Sequence, residues 1–470
     1  MAAVLARFGT SGRAAATYVV LAALQRGISL LILPFITHAM PPVEYGAVSM
    51  LVATSLLLTA FVATPLIQLV VRAGARQDDD GPALLRVGGT YCYFVLPVIG
   101  AIGAAAFALC VPELLGVSGS IWAIELLAIG LQPASSTFAM WVAQSRADLR
   151  PFVWLSLTTV VATTVSKLVL VVVLRQGVSG WVLSDLISAV MSALLAIALI
   201  RLPRRRIRME HVRYVLRFVL PLVPHSLSVW ALTSLSRPAM AAVSSLEQVG
   251  YLAFGLSLAS LAALVLAEAN RAALPHYSRE TLPAPTPETL RVVRWQIVGA
   301  FSLPAIVGCG VAVAGQWLFA EAYWPSFFLT GVLLVGQTAY GLYLIPMNYL
   351  TQTAGHTKYS AAASGAGAVV ILGFILLLGH RYGAVGAACA TAAGYATMAA
   401  VAVILTKTHN LTIAWRSWLA DWKGVVLSLA ALICSVFALA SPVGSTFAWV
   451  LSGASLLSTL GAVISTARRT

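Results

Sequence analysis

The chain has 470 residues, 60% of them hydrophobic and 9% charged, with a mean hydropathy of +0.92. A soluble globular chain carries about 25% charged residues, so there is too little polar surface here to wrap a water-soluble fold. The net charge of +14 would indicate a nucleic-acid partner only if Lys and Arg gathered on one face; here they lie in the gaps between apolar runs, and nucleic acid is excluded.

A membrane span needs about 20 predominantly apolar residues to cross a hydrocarbon core of about 30 Å. By that measure the chain reads as an all-α integral membrane protein of about fourteen transmembrane helices, at 14–36, 45–71, 87–110, 121–142, 152–174, 181–200, 214–240, 249–267, 295–314, 326–350, 361–378, 384–405, 425–440 and 446–467. Arg7 and Arg13 precede the first run as they would in a signal peptide, but the run is too long for a signal core and a second span follows at once. The chain breaks around Gly177 and Arg381, and the thirteenth span is short.

Lys and Arg test this count independently, because they collect on the cytoplasmic side of a bilayer. With the N-terminus inside, 24 of the 29 fall on inner segments, Arg175 and Arg381 fall on outer loops, and Arg26, Lys167 and Arg237 lie within spans. Both termini are therefore expected in the cytoplasm. The outer loops are short and leave no room for an extracytoplasmic domain. The inner loop 201–213, with Arg204, Arg205, Arg206 and Arg208, reads either as a solvated linker or as a segment lying on anionic headgroups.

Laying the second six spans on the first reveals an internal repeat. Pro34 and Gly46 meet Pro238 and Gly250 at an offset of 204, Gln144 and Arg150 meet Gln352 and Lys358 at 208, and Gly177 and Gly180 meet Gly383 and Gly386 at 206. A unit of six spans inserts in the same orientation twice, so two lobes (1–200 and 214–406) are expected about a pseudo-two-fold axis along the membrane normal, joined by a basic linker (201–213) and followed by an accessory helix pair (407–470). Transporters with such halves place the substrate between them and rock to alternate access.

An ionisable group inside a span costs on the order of 3 kcal/mol and normally faces a cavity or a partner. Arg26 lies about 18 Å into the first span, with Ala22, Ala23, Ser29 and Leu30 as its helical neighbours. It has no local counter-charge and must meet either an acid on another helix or an anionic ligand. His225 holds a similar depth in the seventh span, as a packed residue or as part of the same site. Arg237 lies closer to the outer face, where snorkelling is also open to it. Lys167, Glu125 and Asp185 fall in the outer half of neighbouring spans, as a structural ion pair or as a site coupling transport to H+ or Na+. Pro221 and Pro224 interrupt the seventh span, as in a broken helix lining a cavity. The run Asp78, Asp79 and Asp80 reads as a solvated loop rather than a metal motif. The five cysteines, Cys92, Cys110, Cys309, Cys389 and Cys434, read as small packing residues. No phosphate loop, catalytic triad or zinc motif is present, and neither an enzyme nor a cofactor is expected.

Leu33-Pro34 followed by Glu44-Tyr45-Gly46, then Arg217-Phe218-Val219-Leu220-Pro221-Leu222-Val223-Pro224 leading to Val249-Gly250-Tyr251, and Gly383-Ala384-Val385-Gly386-Ala387-Ala388 resemble the polysaccharide biosynthesis family of oligosaccharide-lipid flippases. That family belongs to the multidrug/oligosaccharidyl-lipid/polysaccharide exporter superfamily. The resemblance implies two six-helix lobes around a central cavity in a bacterial inner membrane. It also implies an undecaprenyl-diphosphate-linked oligosaccharide as substrate, cationic side chains that meet the diphosphate, and glycan polymerases or glycosyltransferases as associates. By position Arg26 matches the cavity role. Members of that family often carry Asp-Arg where this chain has Ser236-Arg237, so Arg237 lacks an adjacent acid. The rival expectations are a drug/cation antiporter of the same superfamily, which needs a midplane carboxylate that neither the first nor the seventh span has, a membrane glycan polymerase, which needs a sizeable outer loop, and a non-transporting scaffold.

Overall fold

The computed structural model describes residues 21, 27–28, 30–75, 80–280, 285–409 and 421–469. Hydrocarbon offers no partner for a bare N–H or C=O, so a spanning chain satisfies its backbone within helices. The elements are α1 (Leu33–Ala39), α2 (Pro42–Val62), α3 (Leu66–Ala75), α4 (Asp80–Cys110), α5 (Gly119–Ser145), α6 (Leu149–Val173), α7 (Gly177–Leu199), α8 (Met209–Ser234), α9 (Ser236–Val243), α10 (Leu246–Arg279), α11 (Pro287–Leu318), α12 (Pro325–Thr353), α13 (Lys358–Thr408), α14 (Trp422–Ala440) and α15 (Thr446–Arg468). Twelve of them, among the described residues, are long and apolar enough to cross a membrane. Between α4 and α5 a two-residue hairpin pairs β1 (Glu113–Leu114) with β2 (Val117–Ser118), and Trp122 Nε1 donates to Leu114 O at 3.1 Å.

The count of about fourteen is met once two features are resolved. Helix α13 is 51 residues long, which as a straight helix would run about 76 Å, more than twice the hydrocarbon core. It bends at Gly383, where φ is 57° and ψ is −138°, so the predicted eleventh and twelfth spans are its two arms. Helix α1 is the described end of the first predicted span; Arg26 lies outside the described residues. The predicted seventh span is interrupted as its prolines require. Within α8 the helix tightens to a 3-10 turn over Leu220–Leu222, and after Ser234 it restarts as α9. A proline has no N–H to give to the preceding turn.

Contacts divide the described chain into two compact units, Met1–Trp230 and Ala231–Thr470. In the first, Leu69, Cys92, Tyr93, Phe138 and Leu155 form the centre of the core. Tyr93 stacks edge-on against Phe138 at 5.2 Å and donates its hydroxyl towards Ala196 O and Ile200 O at 3.1 and 3.0 Å. The basic segment after α7 is extended, and its start is tied to this unit by Arg86 Nη1 donating to Pro203 O at 3.2 Å. Asp80 opens α4; Asp78 and Asp79 lie outside the described residues.

In the second unit, small residues set the helix crossings, as they do where packing rather than hydrophobic exclusion holds spans together. Gly308 faces Ser435, and Ser455 Oγ donates to Ala431 O at 2.7 Å, so the α14–α15 pair lies closely on α11. Of the cysteines, Cys92 and Cys309 are packed as expected, but Cys110 and Cys389 are exposed on helix faces and Cys434 is half-buried. A thiol is apolar enough to face hydrocarbon as readily as a packed core.

The repeat read from the sequence has a local structural counterpart in each unit. Gly177 (φ 56°) opens α7 with its α-carbon pressed on the Glu44 carboxylate, and Gly383 (φ 57°) opens the second arm of α13 pressed on the Gln248 amide. The glycines are 206 apart and their partners 204, the offsets already found for these stretches. Ala147 and Gly355, 208 apart, both take positive φ (55° and 72°) after the fourth helix of each group.

Candidate functional site

Helices α5, α6 and α7 bring Glu125, Lys167 and Asp185 together. Each lies about 9–12 Å along its helix from the end where α5 and α7 begin and α6 finishes. Lys167 Nζ is 3.0 Å from Asp185 Oδ1 and 3.8 Å from the centre of the Trp181 ring. The ammonium is thus held by a carboxylate on one side and an aromatic face on the other, two contacts that gain strength away from water. A π-helical turn, Leu168–Val173, follows Lys167 directly; such turns often mark functional positions.

Glu125 is buried, 4% exposed. Its Oε1 accepts a hydrogen bond from Ser55 Oγ on α2, while Oε2 has no hydrogen-bond partner among the described residues. Lys167 and Asp185 both lie within its electrostatic reach. The cluster therefore contains two acids and one base, and it is electrically neutral when it also holds one proton or one monovalent cation. Sequence spacing identified the three charged residues; it missed Ser55 and Trp181, which carry no charge to signal them. Below the cluster, Thr163 and Ser188 share a 2.7 Å hydrogen bond, and Ser166 Oγ donates to Ser184 O at 3.4 Å, so a polar seam continues between α6 and α7.

The expected anion-binding residues are distributed differently. Arg26 lies outside the described residues. His225 is exposed on α8, one residue beyond Pro224, on a helix with almost no buried residues. Arg237, on α9, is half-buried in the second unit and within electrostatic reach of Tyr395 on α13. Tyr395 packs against Tyr340 at 6.0 Å, and Tyr340 against Tyr343 at 6.3 Å. Three tyrosines on two helices thus pack together, with Tyr395 the one that reaches the Arg237 guanidinium, a grouping that sequence spacing did not show because the residues come from spans ten and twelve.

A second polar constellation joins α10, α11 and α12. Asn270 Oδ1 accepts from Gln296 Nε2 at 2.9 Å and from Asn348 Nδ2 at 2.7 Å, and Tyr277 donates its hydroxyl to Gln296 Oε1. Interhelical amides of this kind fix register inside a membrane protein. Among the described residues no group of three or more His, Cys, Asp or Glu is arranged to hold a metal ion.

Solved structures with this fold are membrane transporters. "Lipid II flippase MurJ, inward closed conformation" is 12% identical, with a TM-score of 0.71 over 95% of this chain and 97% of that one. The "inward-facing conformation of a multidrug resistance MATE family transporter of the MOP superfamily" is 14% identical, with a TM-score of 0.61 over 83% and 97%. No curated protein matches the chain in sequence. The fold therefore defines a multi-pass, all-helical membrane protein that shares the helical architecture of these two structures. Within that class, the profile described as "Polysaccharide biosynthesis protein" matches residues 11–280, and the chain belongs to that family.

Proposed function

We propose that the chain is a flippase, not an enzyme, that moves an undecaprenyl-diphosphate-linked oligosaccharide from the cytoplasmic to the outer leaflet of a bacterial inner membrane during cell-surface polysaccharide synthesis. The observation that carries this reading is membership of the polysaccharide biosynthesis family in a chain whose fold is that of a lipid II flippase. Arg26 is the principal anion site, helped by His225 and Arg237: a diphosphate brought to a guanidinium inside the bilayer compensates two charges that are each costly alone. The lobes 1–200 and 214–406 rock about the linker 201–213 to alternate access, with 407–470 as an accessory pair and both termini cytoplasmic. Coupling to H+ or Na+ belongs to Glu125, Lys167 and Asp185. No cofactor takes part, and glycan polymerases or glycosyltransferases are the expected associates.

A second reading, a drug/cation antiporter, draws on the likeness to the MATE transporter. Translocation of a fluorescent lipid-diphosphate oligosaccharide in reconstituted vesicles separates the two. The flippase moves it, and Arg26→Ala loses transport at least tenfold while folding as the parent does. Undiminished complementation of a flippase-deficient strain by Arg26→Ala would remove the anion-site assignment, and gradient-driven drug efflux without glycolipid movement would favour the antiporter.

A further inference from the structure

An apolar slot of about 240 Å³ opens between α10, α11 and α12. Its walls are Leu266, Leu303, Leu344 and Trp295, and Gly299 and Gly341 form its floor. Pockets that enclose a drug-sized ligand hold about 300–1,000 Å³, so the slot is too small for an oligosaccharide. Its lining is long on two of the three helices. On α11 the lining runs from Val292 to Leu303 and on α10 from His276 back to Leu266, which is about 15–17 Å on either helix. Half of a hydrocarbon core is about 15 Å.

One end of the slot is basic. His276 lines it, and the exposed Arg279 and Arg291 stand one helical step beyond His276 and Trp295 on the two lined faces. The acids nearby offset only part of this charge. Glu268 is paired with Arg271 at 2.8 Å, and Glu280 is turned inward to accept from Thr286 N and Oγ1 at 2.8 and 3.2 Å. Glu288 alone is exposed on the same end of α11. Further along the slot, Asn270 spends its Oδ1 on Gln296 and Asn348, which leaves its Nδ2 as a donor on the wall. Trp295, 37% exposed, stands just inside the basic end, where indole rings settle at a membrane interface.

We propose that this slot binds an anionic phospholipid of the surrounding leaflet. One acyl chain lies along the slot past Asn270, and the phosphate meets Arg279, Arg291 and His276. Basic pockets between spans on one side of a bilayer are suited to such headgroups. The assignment does not depend on what the chain transports.

The test places the purified full-length chain in phosphatidylcholine nanodiscs doped with dibrominated-acyl phosphatidylglycerol or dibrominated-acyl phosphatidylcholine, and reads tryptophan quenching. The glycerol lipid is expected to quench one component at roughly fivefold lower mole fraction than the choline lipid, about one cationic contact's worth, and that component is absent in Trp295→Phe. Arg279→Gln with Arg291→Gln brings the two lipids together. A Cβ at Gly299 meets only Leu303 Cδ1, at 3.9 Å, so Gly299→Leu has room to fold, fills the slot and weakens quenching by both. Equal quenching by the two lipids in the parent chain overturns the proposal. So does a component that survives Gly299→Leu in a variant with parental melting, or competition by a polyprenyl phosphate where phosphatidylglycerol gives none.

Discussion

Lys167 Nζ lies 3.0 Å from Asp185 Oδ1, with the two side chains only 11% and 24% exposed. Truncating one member of a buried pair strands the other, at about 3–5 kcal/mol, whereas replacing both by apolar groups is often neutral. Lys167→Met is therefore expected to lower thermal stability strongly, and Lys167→Met with Asp185→Leu to recover most of the loss. Heating the detergent-solubilised chain and measuring the fraction that remains monodisperse checks the cycle; additive losses would mean that the pair is not coupled.

Glu125 gives the sharper test of ion coupling. Glu125→Gln keeps the shape and the acceptor for Ser55 but fixes the side chain as neutral. If the cluster couples transport to an ion, the variant folds normally, and glycolipid movement in vesicles loses its response to an imposed pH or sodium gradient. A fully gradient-responsive Glu125→Gln leaves the cluster a structural role only.

Arg237→Gln is expected to reduce glycolipid translocation about tenfold, the loss of one charge-assisted contact of about 1.4 kcal/mol, with Arg237→Lys intermediate because an ammonium lacks the planar fork. The measurement is initial rate against substrate concentration. Unchanged rates in Arg237→Gln would leave this residue a structural role only.

The two glycine turns predict a matched pair of defects. A non-glycine residue in a sparsely populated backbone region costs about 1–3 kcal/mol, and a Cβ would also lie 2.3 Å from Glu44 Oε2 at Gly177 and 2.4 Å from Gln248 Oε1 at Gly383. Gly177→Ala and Gly383→Ala should each destabilise. Glu44→Ala or Gln248→Ala in the same chain should recover only the steric part, leaving the backbone part visible in the melting temperature.

Asp421 is 1% exposed and caps α14 through Gly424 N at 3.2 Å, while Ser465 Oγ and Thr466 Oγ1 on α15 donate to it at 2.9 and 2.6 Å. Removing a cap costs about 1 kcal/mol and each orphaned buried donor about 1–3 kcal/mol more. Asp421→Ala should loosen α14 and α15 ahead of the rest, seen as faster hydrogen exchange in both helices; protection unchanged there would show that α11 alone holds the pair.

Much of the fold was legible in the sequence because its signals are local. The fourteen runs, the breaks at Gly177 and near Arg381, and the interruption by Pro221 and Pro224 each follow from hydropathy or backbone chemistry of adjacent residues. The cluster of Lys167, Glu125 and Asp185 was visible too, since depth along a helix follows from counting residues. Which carboxylate takes the ammonium was not. Both acids lie at similar depths, and the choice of Asp185, with Glu125 turned to Ser55, depends on the angles between α5, α6 and α7.

The sequence by itself determined that this is a multi-pass helical membrane protein, because burial in hydrocarbon is an energy summed residue by residue along the chain. Only the tertiary structure decided the partners: Trp181 beneath Lys167, Tyr395 near Arg237, the amides joining α10 to α12, and the slot beside them. Those contacts form between residues from 14 to more than 150 positions apart, and their energies turn on distances of an ångström, which no pattern in one dimension encodes.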